Sequence, residues 1–155
     1  MLGSHHINRK TKTMPILNYT TTIDVGKTAG EMQTLMTRRG VRSVSTIIND
    51  EGVPSGIAFQ LTTEYGTRYF EFPVRLEGVY AAIKKDPKIV PSKRTPEQAN
   101  RVAWRIAREW LVVQLAMVDA ELASMDEIML PYLTDNNGKS LYSEYRRNQL
   151  AAIEE

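Results

Sequence analysis

Three arginines at spacings of four and three residues are the side chains that most clearly suggest chemistry in this sequence. Arg101, Arg105 and Arg108 are expected to line one face of a helix, because residues three and four apart are neighbours on a helical surface. Such a row suits phosphate contacts, which need only positioned Lys or Arg side chains and carry no sequence information. The pattern also fits a solvated helix face whose acidic continuation pairs with another helix or another copy of the chain.

Lysines precede the arginines and extend the positive charge. Residues 84–108 contain eight basic and two acidic residues, whereas residues 109–135 contain six acidic residues and no basic one. We therefore predict an anion-binding surface on the basic half, with two tyrosines as candidates to stack on bases. The predicted nucleic-acid-binding residues are Lys84, Lys85, Lys88, Lys93, Arg94, Arg101, Arg105, Arg108, Tyr69 and Tyr80.

Groups for catalysis are scarce. The chain has no cysteine, and its only histidines, His5 and His6, lie in residues 1–13. Outside that segment neither a Ser-His-Asp site nor a His- or Cys-ligated metal site can be built. Gly26-Lys27-Thr28 resembles the tail of a P-loop, but Thr21 stands where that motif needs its first glycine. We expect no enzymatic activity, no cofactor and no metal site.

Composition indicates one folded domain preceded by an extension. A length of 155 residues with 42% hydrophobic residues suits a single compact domain. Residues 1–13 lack periodicity and are predicted to be a tag-like or disordered extension, followed by a single domain over residues 14–155. The extension carries three bases, so the remaining chain has a net charge of −1 and global charge does not argue for a nucleic-acid partner.

Location is predicted from what the sequence lacks. No apolar run approaches the ~18 residues of a membrane span, so we expect no membrane segment. The absence of cysteine and of a secretory signal favours the cytoplasm.

Hydrophobic periodicity predicts an α+β fold, in which a small antiparallel sheet of about four strands has helices packed on one face. The strands are predicted at residues 17–23, 41–48, 57–61 and 70–74. Helices are predicted at 29–39, 76–85, 125–133 and 141–152, and a long helix begins after the Thr95 cap and reaches about residue 123. Thr28 and Glu31 have the spacing of a capping box for the first helix.

Residues 97–133 (EQANRVAWRIAREWLVVQLAMVDAELASMDEIMLPYL), with the opening PILNYTT, resemble small proteins encoded by bacteriophages and prophages, a family of unassigned function. The similarity extends over residues 14–142 and is most marked at 101–106 and 129–132. It implies a phage origin and a protein of the bacterial host cytoplasm, and it transfers no catalytic residue.

These observations lead to two functional hypotheses. The first is a phage-encoded, non-enzymatic nucleic-acid-binding accessory protein for single-stranded or recombining DNA. The alternative is an anti-defence inhibitor that binds a host defence protein or sequesters a nucleotide signal. Either is predicted to be a homo-oligomer, because Trp104 and Trp110 point roughly 120° apart on one helix and a small sheet is not expected to cover both.

Overall fold

The computed structural model describes residues 14–154, so the predicted extension at residues 1–13 lies outside them. A short 3-10 turn at Pro91–Lys93 precedes the third helix, and a second one at Leu130–Tyr132 follows the fourth helix. The α+β class is confirmed. In chain order the elements of the described residues are α1 (Val25–Thr37), β1 (Arg42–Ile48), β2 (Pro54–Thr63), β3 (Gly66–Pro73), α2 (Glu77–Lys84), α3 (Pro96–Asp119), α4 (Met125–Met129) and α5 (Leu141–Glu154).

The sheet is an antiparallel meander in the order β1-β2-β3. Apolar residues alternate along its strands, so that Ile57 pairs with Phe72 and Phe59 with Phe70 on the same face. This inner face packs against α1 and α3 and forms the main core. The opposite side of the sheet, which we call the outer face, carries no helix across it in the described residues.

The predicted strand at residues 17–23 is wrong, which leaves three strands instead of about four. This segment runs beside α3, where the buried Gln98 side chain donates hydrogen bonds to the carbonyl oxygens of Tyr19 and Thr21 at 3.0 and 2.9 Å. A side chain therefore takes the place that a neighbouring strand would have had. A single antiparallel bridge between Phe70 and Leu133 extends the β3 edge of the sheet.

The first helix begins four residues before its predicted start. Asp24 precedes it, and the predicted capping box of Thr28 and Glu31 does not form. Thr28 is fully buried inside the helix, and its Oγ1 accepts a hydrogen bond from Arg105 at 3.2 Å. The spacing of Thr28 and Glu31 thus places both side chains toward α3.

The long helix α3 begins as predicted. Thr95 Oγ1 accepts a hydrogen bond from the Gln98 backbone N–H at 3.1 Å, and Pro96 occupies the first turn. The helix ends at Asp119, before the predicted end near residue 123, because Glu121 adopts a left-handed backbone with φ of 61°.

The two tryptophans of α3 are covered to different degrees. Trp104 is fully buried, and its Nε1–H donates to the Pro54 carbonyl oxygen at 3.3 Å. Trp110 is half-buried and stacks on Phe72 with ring centroids 5.1 Å apart. The Tyr132 ring lies nearly perpendicular to both of these rings. The inner face therefore covers one indole completely and the other in part.

Candidate nucleic-acid interface

Exposed lysines gather at the end of α2 and in the loop that follows. Lys84, Lys85 and Lys88 all have exposed side chains. Lys84 lies over the Tyr80 ring, with its Nζ 4.3 Å from the ring centroid. The neighbouring acid, Asp86, is used locally, since its Oδ1 accepts from the Lys88 backbone N–H at 2.9 Å.

A second, smaller core holds this loop in place. Ile83, Ile89 and Ala99 pack together beneath it, and Arg94 Nη2 donates to the Asp86 carbonyl oxygen at 3.0 Å. The loop therefore closes back on itself before α3 begins. This closure places the basic segments of α2 and the loop beside the first turns of α3.

The three arginines of α3 have protein partners. Arg101 Nε donates to Gln98 Oε1 at 3.0 Å. Arg105 Nη1 and Arg108 Nε lie 3.0 and 2.6 Å from the same oxygen, Oε1 of Glu31 on α1. Their side chains are only 15% and 29% exposed, and the Glu31 carboxylate balances one of their two positive charges where α1 packs on α3.

Glu31 is the residue of this region that sequence reasoning did not assign to the arginines. Burial alone would raise the pKa of its carboxyl group, but the hydrogen bond from Arg105 and the positive charges of Arg105 and Arg108 outweigh burial and hold that pKa below its ordinary value. The available signal was the three-residue spacing of Thr28 and Glu31. This spacing is as typical of two residues on one helical face as it is of a capping box.

The other six predicted bases make no ion pair with an acidic side chain within residues 14–154. We call these six residues the basic cluster: Lys84, Lys85, Lys88, Lys93, Arg94 and Arg101.

The two predicted stacking tyrosines lie on different parts of the molecule. Tyr80 is on α2, beneath Lys84 and beside the second core. Tyr69 is on β3, one residue before the inner-face Phe70, and therefore points to the outer face. Its hydroxyl donates to Glu71 Oε2 at 2.8 Å, and this hydrogen bond together with burial raises the pKa of Tyr69. Tyr80 therefore lies beside the basic cluster, whereas Tyr69 lies on the outer face of the sheet.

The acidic half of the charge pattern has structural partners. Asp119 receives two hydrogen bonds from Arg39, at 3.0 and 2.7 Å. Glu127 forms a reciprocal capping box with Ser124 at the start of α4. In the part of the chain that the structure describes, no group of three His, Cys, Asp or Glu side chains is arranged to hold a metal ion.

Comparison with known proteins adds no further assignment. No protein-family model matches the chain, and neither the curated proteins nor the solved structures include a significant match. No helix of the described residues has the length and apolarity needed to cross a membrane. The phage origin implied by the resemblance stays a prediction.

Proposed function

We propose that this protein binds nucleic acid through the basic cluster, as a non-enzymatic accessory protein for single-stranded or recombining DNA. The observation that carries the proposal is that the six bases of the cluster make no ion pair within the described residues. Arg105 and Arg108 are left out of the interface, because both pair with Glu31 and their side chains are largely covered.

The chemistry of the cluster fits a polyanion. Lysine ammonium groups on flexible stems act as point charges that can follow a phosphate backbone, and they bind every sequence similarly. The cluster has only two acidic residues within its span, Asp86 and Glu97, and Asp86 closes its own turn. Tyr80 is the candidate for stacking on a base once Lys84 moves from its ring to a phosphate.

A salt titration of labelled oligonucleotides tests the proposal. The full-length chain is used, and all proteins carry Arg9→Gln, Lys10→Gln and Lys12→Gln so that the extension contributes no positive charge. Replacing Lys84, Lys85 and Lys88 by alanine is expected to weaken binding to single strands of every sequence. The slope of log affinity against log salt should fall by about two to three, near one per lost contact.

A matched variant controls for total charge. Lys27 on α1, Arg38 directly after α1 and Arg42 on β1 are exposed bases, and their replacement by alanine removes the same charge from another part of the chain. This control should leave affinity and salt slope unchanged. Equal losses in both triple variants, or no binding by the parent at about 50 mM salt, would contradict the proposal and favour the inhibitor hypothesis.

A further inference from the structure

The last helix has an apolar side that the other described residues do not cover. Every described side chain of α5 is exposed except Glu144. Four large apolar residues at helical spacings, Tyr142, Tyr145, Leu150 and Ile153, are 50% to 78% exposed. An isolated helix of this length is only marginally stable in water, so this side of α5 is expected to have a partner.

The loop before α5 fixes where this helix begins. The Leu141 N–H donates to the Leu133 carbonyl oxygen at 2.8 Å, and Thr134 forms a bridge with Ser140. Asp135 Oδ1 closes the loop between them by accepting from the backbone N–H groups of Asn137 and Lys139. The helix therefore starts at the β3 edge in a set direction and continues into solvent.

A groove of about 630 Å³ lies where α5 begins. Its lining includes Ile47 of β1, Ser55 of β2 and Glu71 and Pro73 of β3, together with Arg75, Tyr132 and Tyr142. Three strands at ~4.8 Å spacing are about as wide as one helix of ~10–12 Å diameter. The 14 residues of α5 extend for ~21 Å, which is about the length of the strands.

The helix carries a base, Arg146, that is opposite in charge to Glu71, the acidic residue of the groove, whose lining also includes Arg75. Arg146 lies among the apolar residues of α5, four positions from both Tyr142 and Leu150, and makes no ion pair within residues 14–154. Glu71, half-buried in the groove, has one described side-chain partner, the Tyr69 hydroxyl. Among the described residues, each copy therefore presents a base on the helix and an acid on the outer face that make no ion pair.

The edges of the sheet are less suited to joining two copies than the outer face and α5 are. The β1 edge has register shifts near both of its ends, and Ser43 there has a φ of 54°, which disrupts strand addition. The β3 edge is already occupied by Leu133.

We propose that α5 of one copy packs on the outer face of a second copy, with Arg146 against Glu71, and that the exchange is reciprocal. A two-fold arrangement gives each copy two contacts, because each contributes one helix and one sheet face. The occupant of the groove is thus a second chain of the same protein.

Charge reversal tests the proposal by sedimentation of the full-length chain. The parent is expected to be a dimer, and Arg146→Glu or Glu71→Arg should each weaken dimerisation at least about tenfold. An equimolar mixture of the two variants should restore the dimer, since both contacts in the heterodimer then join opposite charges. Arg147→Glu is the matched control, because Arg147 pairs with Glu144 within the helix, and it should leave dimerisation unchanged.

Circular dichroism of each variant confirms that the fold is retained. If Glu71→Arg does not fold, Glu71→Gln replaces it and should weaken the dimer by removing the attraction. A parent chain that stays monomeric up to about 100 µM overturns the proposal. So does a dimer that neither Arg146→Glu nor a folded Glu71 variant weakens.

Discussion

Individual side chains show that long-range partners decide what a charged or aromatic residue does. Arg105 and Arg108 lie in a row that suits phosphates, yet they converge on Glu31, more than 70 residues earlier in the chain. Trp104 likewise donates to a carbonyl oxygen 50 residues away. The two arginines and Trp104 therefore hold α3 in place. We expect their substitution to affect the stability of the fold more than nucleic-acid binding.

Replacing Trp104 by alanine tests its role in the core. Because the indole is fully buried, its loss should lower the free energy of unfolding by about 3–5 kcal/mol. Trp110→Ala should cost less, since that side chain is only half-buried. Urea denaturation of both variants gives the comparison, and a larger loss for Trp110→Ala would show that the inner face is not organised around Trp104.

The Glu31 ion pairs predict a dependence of stability on pH. A carboxyl whose pKa is lower in the folded than in the unfolded chain stabilises the fold above its unfolded pKa of about 4.3, and this contribution is lost as pH falls through the lower folded value. Glu31→Gln should therefore be less stable than the parent at pH 7, and the difference should shrink below about pH 4. Denaturation curves at several pH values measure it. A gap that stays constant down to pH 2–3 would contradict this role.

At the scale of secondary structure elements, two glycines with different surroundings show what helices and strands each require. Gly30 is exposed in the middle of α1, and a Cβ there would meet no atom within 4 Å. Gly56 on β2 faces the neighbouring strand, and a Cβ there would lie 2.6 Å from the Phe72 carbonyl oxygen. At Gly30 the helix lacks a side chain that would favour it, whereas Gly56 allows the backbones of β2 and β3 to approach closely.

Alanine at these two glycines is predicted to have opposite effects. Gly30→Ala should raise stability by about 0.5–1 kcal/mol, because alanine loses less backbone entropy in a helix. Gly56→Ala should lower stability by roughly 1–3 kcal/mol, because the strand backbone must move to relieve the contact. Thermal denaturation monitored by circular dichroism decides both. Destabilisation by Gly30→Ala would mean that the exposed side of α1 is itself an interface.

At the scale of the whole molecule, the basic cluster and the proposed dimer contact lie on separate surfaces. The basic cluster lies around the second core at the junction of α2 and α3, and the dimer contact uses the outer face and α5. Removing Lys84, Lys85 and Lys88 should accordingly leave the sedimentation of the chain unchanged. The expectation of no enzymatic activity stays a prediction. Two acidic residues that could serve a catalytic site, Asp119 and Glu127, are engaged in structural hydrogen bonds.

Features that depend on neighbours along the chain could be predicted from the sequence alone. Alternating apolar residues and turn residues predicted the three-stranded meander, and a cap residue followed by proline predicted where α3 begins. The row of bases was likewise visible, since helical spacing is a local property.

The tertiary structure alone decided which of these groups are already used. Residues 17–23 have the composition of a strand, but the side chain of Gln98 binds their carbonyl oxygens. Thr28 has the spacing of a cap, but α3 buries it. Arg105 and Arg108 have the spacing of an anion site, but Glu31 pairs with them. The physical reason is the same in each case: a buried polar group must find a partner, and these partners come from segments more than 70 residues away that periodicity does not connect.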